Sequence, residues 1–208
     1  MRRLLPFVAL MATGCSSSPA PVIEPTPATQ TVTVCTYPDG PYGIHEGQTI
    51  PPTFTWNGLA PGGTPQSYAS TDFYDCDGSK GINAIVFDSS GQWCGACQQE
   101  AMELEGIIAN NWGPNGVAVI TLMVEDLNYK PTTDINVAQQ WMTDYHLKNV
   151  PVALDPKFNF AVYVNGQLGL PYNVLVDPRT MKVVKSPYVV GTAGHDADMD
   201  ALIYANTP

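Results

Sequence analysis

Two apolar stretches on either side of a helical repeat constrain the fold of this chain more than any other feature. The first, residues 82–87, has the length of a strand, and the second, residues 117–124, is rich in β-branched side chains. Between them, apolar residues recur every three or four positions from Cys97 to Ile108, which is the period of one helix face. A strand, a helix and a strand in this order predict two parallel strands in a buried sheet.

The rest of the sequence continues the alternation of helices and strands. We predict helices over 134–145 and 196–205, and a hairpin from strands at 172–176 and 182–184. The segment 158–164 fits either a short helix or a strand. Because the last two strands are close in sequence, we expect an α/β domain whose central mixed sheet is flanked by helices and has an antiparallel edge.

The first residues have the pattern of an export signal. Arg2 and Arg3 precede a short apolar run, and small residues lead to Cys15. The run is too short for a permanent membrane span. The stretch ending in Cys15 resembles the lipobox of bacterial lipoproteins, with Ala12 where leucine is usual, and the resemblance implies that Cys15 carries lipid. An ordinary signal peptide with an incidental cysteine is the alternative.

The chain is thus divided into three parts by its composition. Residues 1–14 are the predicted lipoprotein signal peptide, 15–33 form a tether rich in Pro, Ser and Thr, and 34–208 form the folded domain with an N-terminal extension. Hydrophobic residues make up 44% of the sequence, which is typical of a globular protein. A net charge of -10 makes nucleic acid an unsuitable partner, because phosphate binding requires clustered Lys and Arg.

The cysteine count agrees with an oxidising compartment. With Cys15 acylated, four of the five cysteines remain, and an even number suits disulfide formation outside the cytoplasm. Cys35 and Cys76 bracket a turn-rich segment and are candidates for a structural disulfide, with separated free thiols as the alternative. The sequence alone allows three pairings of the four cysteines.

Residues 93–97, Trp-Cys-Gly-Ala-Cys, stand between the first predicted strand and the helix that follows it. The N-terminus of a helix presents unpaired N–H groups and the positive end of the helix dipole, which both favour the thiolate of Cys94. Cys97 lies one turn later and can close a disulfide with Cys94. We therefore predict that Cys94 is the nucleophile and that Cys97 resolves the mixed disulfide.

This motif after a strand resembles thioredoxin, and its surroundings resemble the TlpA-like and ResA-like envelope thiol-disulfide oxidoreductases. The resemblance extends over about residues 48–204 and implies a thioredoxin-like fold. Leu170 and Pro171, which precede the predicted strand at 172–176, match the cis-proline loop that faces the cysteines and positions substrate.

Two acidic residues match positions that the family uses near the cysteines. Asp88, six residues before Cys94, corresponds to the buried acid of thioredoxin, and Glu100 corresponds to an acid of ResA-like proteins. The resemblance implies that one of them manages the proton of Cys97, although each could instead be an ordinary surface group. The residues expected to contact substrate are Trp93, Gly95, Ala96 and Leu170.

The resemblance implies an enzyme that exchanges disulfides with envelope proteins, as a reductant supplied by a membrane electron donor. It needs no metal or organic cofactor, and the lipid anchor would place it in the cell envelope, on the outer membrane facing the periplasm or on the extracellular face. A redox-inert interaction module with the same fold is the main alternative.

Three other activities fit the sequence less well. A zinc site needs two further ligands, and the three histidines are scattered. Copper-handling relatives have three residues between the cysteines and a suitably placed histidine, whereas this motif has two. A peroxiredoxin-like antioxidant would have Pro and Thr where this chain has Phe87 and Gly91.

Overall fold

The computed structural model describes residues 35–190 and 197–207. The predicted signal peptide and tether, residues 1–33 with the predicted lipidation site Cys15, lie outside the described residues. Among the helices that are described, none is long and apolar enough to cross a bilayer. The described elements are β1 (Thr55–Leu59), β2 (Pro65–Ala69), β3 (Ala84–Gly91), α1 (Gly95–Ile107), β4 (Val117–Glu125), α2 (Ile135–Asp144), β5 (Val152–Leu154), β6 (Val162–Val164), β7 (Gln167–Gly169), β8 (Tyr172–Val176), β9 (Val183–Tyr188) and α3 (Ala197–Asn206).

Seven of these strands form one mixed sheet, in the order β2-β1-β5-β4-β3-β8-β9. The central strands β3, β4 and β5 are parallel, and the strand–helix–strand pattern had predicted this for β3 and β4. β8 and β9 continue the sheet antiparallel on one side, and β1 and β2 do so on the other. Strands β6 and β7 pair only with each other. The α/β architecture with a mixed central sheet is therefore confirmed.

Alternating residues of the central strands face two separate hydrophobic clusters. Val86 of β3 and Val119 of β4 pack with apolar residues of all three helices, among them Leu104, Trp141 and Met199. Because side chains of a strand alternate between its two faces, the intervening residues point to the other cluster. Helices α1, α2 and α3 thus cover the same face of the sheet, and this is the face toward which Cys97 projects.

The opposite face is covered by aromatic side chains from loops and short elements. Phe87 of β3 stacks on Phe160, with ring centroids 4.5 Å apart, and Trp56 and Phe73 contact the same ring of Phe87. Aromatic pairs of this kind add to the free energy of burial itself. No α-helix is therefore required on this face to exclude water from the described part of the sheet.

The structure decides the segment that the sequence left open and places the end of α1. Segment 158–164 contains no helix: only Val162–Val164 is regular, as strand β6, and Phe158 has a φ of 56°, a left-handed conformation that a right-handed helix cannot include. Helix α1 ends at Ile107, and Ile108–Trp112 continues as a π-helical turn that buries Trp112.

One arginine connects three segments that are far apart in sequence. Arg179, in the turn between β8 and β9, donates hydrogen bonds to the carbonyl oxygens of Asp75, Ile82 and Asn206, and its ion pair with Asp75 measures 3.0 Å. Next to Asp75, Cys76 is joined to Cys35 in a disulfide. The turn-rich segment before β3, the last strands and the end of α3 are therefore fastened at one place.

Candidate active site

Helix α1 begins at the predicted motif. Gly95 is its first residue, and Cys94 is the capping residue, whose Sγ accepts a hydrogen bond from the N–H of Cys97 at 3.1 Å. Cys94 and Cys97 are joined in a disulfide, with Cα atoms 5.2 Å apart. Cys94 keeps 4% of its surface exposed and Cys97 none, so a partner can approach only Cys94. Between them, Gly95 and Ala96 are exposed.

The loop before β8 lies beside this motif. The peptide bond between Leu170 and Pro171 is cis, and Tyr172, the next residue, is opposite Ser89 near the carboxyl end of β3. That end of β3 leads directly into the cysteines. A Cβ on Gly91 would lie 3.1 Å from Leu170 Cδ1 and 3.2 Å from Trp93 Nε1. The absence of a side chain at Gly91 therefore lets Leu170 and Trp93 approach each other.

A buried and a half-buried carboxyl group lie together on the helix-covered face. Asp88 is in the middle of β3 and is only 2% exposed, so it is not the surface residue that its position near a strand end permitted. Its oxygens accept hydrogen bonds from the hydroxyls of Ser90 at 2.9 Å and Thr121 at 2.7 Å. Glu100 of α1 is hydrogen-bonded to Asp88, and both its oxygens accept from Asn173 Nδ2 at 2.9 and 3.0 Å.

Burial and mutual repulsion hold a proton within this pair. Burial, followed by the charge of Asp88, raises the pKa of Glu100 to about 8. Burial also raises the pKa of Asp88, although the hydrogen bonds from Thr121, Ser90 and Glu100 oppose this effect. Near neutral pH the two carboxyl groups therefore hold a proton between them, and this proton belongs to the pair.

Replacing Glu100 with glutamine is expected to flatten the pH dependence of stability. Between the ordinary glutamate pKa of 4.5 and about 8, the unfolded carboxyl loses its proton while the native one keeps it. The native state then binds more protons, so the free energy of unfolding of the wild type falls as the pH rises through this range. Relative to the wild type, Glu100→Gln should gain on the order of 2–3 kcal/mol between about pH 5 and about pH 8 in urea unfolding of the oxidised protein.

The matched control for this measurement is Asp144→Asn, which neutralises an exposed carboxyl at the end of α2. Its unfolding free energy should follow the pH dependence of the wild type within about 0.5 kcal/mol. Parallel curves for the wild type and Glu100→Gln would contradict the raised pKa of Glu100 in the native state.

Trp93 is fixed by residues that the sequence analysis did not identify. Its Nε1 donates to Glu125 Oε2 at 2.7 Å, and its ring stacks on Tyr129 with centroids 4.6 Å apart and planes 28° from parallel. Gln92 supports the same region, because its Oε1 accepts from the N–H of Leu127. Asn173 and Thr121 were likewise missed. They contact the acidic pair only because the strand register places β4 and β8 on either side of β3.

Among the described residues, side chains of the types that bind metal ions also cluster at a place outside the motif. Cys35, Cys76 and Asp77 are close together there, but the two sulfurs are bonded to each other. Around the motif itself lie a bonded pair of sulfurs, a carboxyl pair that holds a proton, and an aromatic surface. Those groups suffice for thiol–disulfide exchange, in which the two electrons move between sulfur atoms.

No protein-family model and no curated protein sequence matches this chain. Solved structures do match it. A candidate protein disulfide isomerase from Bacteroides thetaiotaomicron has a TM-score of 0.50 and 19% identity, covering 78% of this chain and 87% of its own. A candidate electron transfer protein from Aquifex aeolicus VF5 has a TM-score of 0.51 and 13% identity, covering 77% and 94%. A hypothetical protein from Sinorhizobium meliloti 1021 has a TM-score of 0.53 and 15% identity, covering 80% and 87%.

At these identities the matches establish the fold. The chain has the thioredoxin-like fold that the motif and the cis-proline loop predicted, with the cysteines at the expected junction of strand and helix. The activity of the site has to be argued from its own geometry.

Proposed function

We propose that this thioredoxin-like chain is a thiol-disulfide oxidoreductase that reduces disulfides of cell-envelope proteins. The observation that carries the proposal is the placement of Cys94 at the start of α1, with Cys97 bonded to it and the Leu170–Pro171 loop alongside. The sulfur that caps the helix accepts a backbone N–H, and this contact stabilises the thiolate that must attack.

The reaction begins with both cysteines reduced. The thiolate of Cys94 attacks one sulfur of a partner's disulfide, forms a mixed disulfide and releases the partner's other sulfur as a thiolate. Cys97 then attacks Sγ of Cys94, which breaks the mixed disulfide and releases the second partner thiol. Two electrons pass from the Cys94–Cys97 pair to the partner, and the protein is left oxidised, as in the structure.

Before it can attack, Cys97 must lose a proton inside the protein. Cys97 is fully buried and packs on the face of the sheet that holds Asp88 and Glu100. A carboxyl pair that shares one proton near neutral pH can accept another when a thiol ionises and can return it afterwards. We assign Asp88 as the acceptor and Glu100 as the group that tunes its basicity.

The proposal also includes a location and an electron source. The export signal before Cys15 and the lipobox-like sequence support a lipid-anchored protein of the cell envelope. The Cys35–Cys76 disulfide is consistent with folding in an oxidising compartment. Because each turnover leaves the Cys94–Cys97 pair oxidised, a dithiol donor is required, and we propose one in the membrane.

Insulin reduction with a chemical dithiol as donor tests the activity. The wild type should accelerate the reaction, and Cys94→Ser should lower the rate by about a thousandfold or more, because the nucleophile is lost. The matched control replaces Cys35 and Cys76 together with serine. This variant should be less stable by about 2–5 kcal/mol but should reduce insulin at the wild-type rate while folded.

No acceleration by the wild type would contradict the proposed activity and favour a redox-inert module. A rate unaffected by Cys94→Ser would remove the assignment of the nucleophile.

A further inference from the structure

An exposed tyrosine extends the aromatic surface beside the cysteines. Tyr129 is 62% exposed, yet one face of its ring is stacked on Trp93. Trp93 is also a neighbour of Leu170, since Trp93 Nε1 and Leu170 Cδ1 both lie within 3.2 Å of the point where a Cβ of Gly91 would be. The surface therefore runs from the cis-proline loop across Trp93 to Tyr129.

Hydrogen bonds of Asp126 define the turn that carries Tyr129. Asp126 Oδ1 accepts hydrogen bonds from the N–H groups of Asn128 at 2.7 Å and Lys130 at 3.1 Å, and its own N–H donates to the carbonyl of Lys130. Tyr129 has a φ of 59°, a conformation that favours Gly or Asn. Keeping a large aromatic residue at such a position costs free energy, which a role for its ring would explain.

The surroundings of this aromatic surface are acidic. Residues 125–134, which carry Tyr129 and the Glu125 partner of Trp93, contain three acidic residues and one basic residue, Lys130, and the whole chain has a net charge of -10. A positive potential on the partner would be attracted to this end of the molecule. Open faces of Tyr and Trp rings bind cations, and the planar guanidinium of arginine both stacks on such rings and pairs with carboxylates.

From these observations we infer that Tyr129 and Trp93 form a binding platform for an arginine next to the reacting cysteine of the partner. Tyr129 is thus a specificity-determining residue, and the preferred substrates are disulfides within basic, arginine-containing segments. This inference rests on the proposed function, since it concerns which disulfides the Cys94 thiolate attacks. The acidic surroundings attract the basic segment of the substrate, and stacking on the two rings favours arginine over lysine.

Synthetic peptide disulfides test the inference. Four short peptides of the same length would carry Arg, Lys, Phe or Ala beside the cysteine, each as its symmetric disulfide, and each would react with the reduced wild-type protein. We expect the second-order rate constant for the Arg peptide to be about threefold to tenfold higher than for the Ala peptide, with Lys in between. Added salt should remove the advantage of Lys and leave part of that of Arg.

Variants of Tyr129 assign the preference to its ring. Tyr129→Asn suits the left-handed backbone but has no ring, and the ratio of the Arg to the Lys rate constant should fall to about one. Tyr129→Phe keeps the ring and should keep the ratio. Tyr204→Asn is the control, since it removes an exposed tyrosine from α3. The end of α3 is hydrogen-bonded to Asn83, which precedes β3 at the end away from Cys94. This variant should leave the ratio unchanged.

The outcomes separate this inference from the proposed function. If the wild type reacts with none of the four peptides, the proposed function fails. If it reacts with all four at similar rates, or fastest with the Phe peptide, the arginine platform is wrong while the oxidoreductase stands. An unchanged Arg preference in Tyr129→Asn would likewise overturn the role of Tyr129.

Discussion

Replacement of Cys97 with serine is expected to turn the protein into a mixed-disulfide trap. Cys94 can still attack a partner's disulfide, but no second sulfur remains within reach to release the partner. Turnover of insulin should fall by about a thousandfold or more, while a covalent complex through Cys94 accumulates. Non-reducing gel electrophoresis and mass spectrometry of Cys97→Ser mixed with a disulfide-containing protein would detect the complex.

The double replacement of Cys94 and Cys97 with serine is the control, and it should form no complex. The choice of Cys97 as the resolving residue follows from its complete burial, because a partner cannot reach its sulfur directly. A complex that forms with Cys94→Ser but not with Cys97→Ser would reverse the two roles.

The second large effect is expected at Arg179, in the turn that follows β8 at the opposite end of β3 from Cys94 and Cys97. Arg179→Met keeps the length of the side chain but removes the three hydrogen bonds to carbonyl oxygens and the ion pair with Asp75. The side chain of Asp75 is fully buried, so its charge would lose its counterion inside the protein. We expect the free energy of unfolding at neutral pH to fall by about 3–5 kcal/mol in urea unfolding.

The pH dependence of this loss identifies the ion pair as its source. Burial by itself would raise the pKa of Asp75, but hydrogen bonds from the N–H groups of Lys80 and Ile82 and the contact with Arg179 outweigh it and lower the pKa. The stability that Asp75 contributes is present above the ordinary aspartate pKa of 3.8 and is lost as the pH falls. The deficit of Arg179→Met should therefore narrow toward about pH 3.

An exposed ion pair provides the comparison. Lys185 and Asp198 are paired at 3.2 Å, but both side chains are nearly half exposed. Lys185→Met should cost less than about 1 kcal/mol, because water already solvates both charges. If Arg179→Met and Lys185→Met lower the free energy of unfolding equally, the contacts of Arg179 with the turn-rich segment and α3 do not stabilise the protein more than an exposed ion pair does.

Local patterns were sufficient to predict the elements that are long and regular. The alternation of apolar stretches located β3, α1 and β4, and the start of α1 at the motif followed from the same pattern. The segment 158–164 was ambiguous because its aromatic and β-branched residues suit either a helix or a strand. What decided it was packing: Phe160 fills the cluster around Phe87 and Trp56, which is a contact between residues far apart in sequence.

Some residues of the candidate site could likewise be predicted from local sequence, and others could not. Cys94 and Cys97 are three residues apart, so their chemistry could be read from the motif and the helix that it begins. Asp88 and Glu100 could be selected as candidates by resemblance, but their spacing along the chain does not say whether they meet. Asn173, Thr121 and Tyr129 had no local signal, because a lone polar or aromatic residue is common in a strand or a turn.

The sequence by itself determined the pair of cysteines at the start of α1, the order of β3, α1, β4 and α2, and the acidic character of the chain. Only the tertiary structure decided that Asp88 and Glu100 share a buried proton, that Arg179 joins three segments, and that Tyr129 lies on Trp93. The physical reason is that helical periods and caps depend on residues within one turn of each other. Burial, strand register and ring stacking depend on residues tens of positions apart, which only the folded chain brings together.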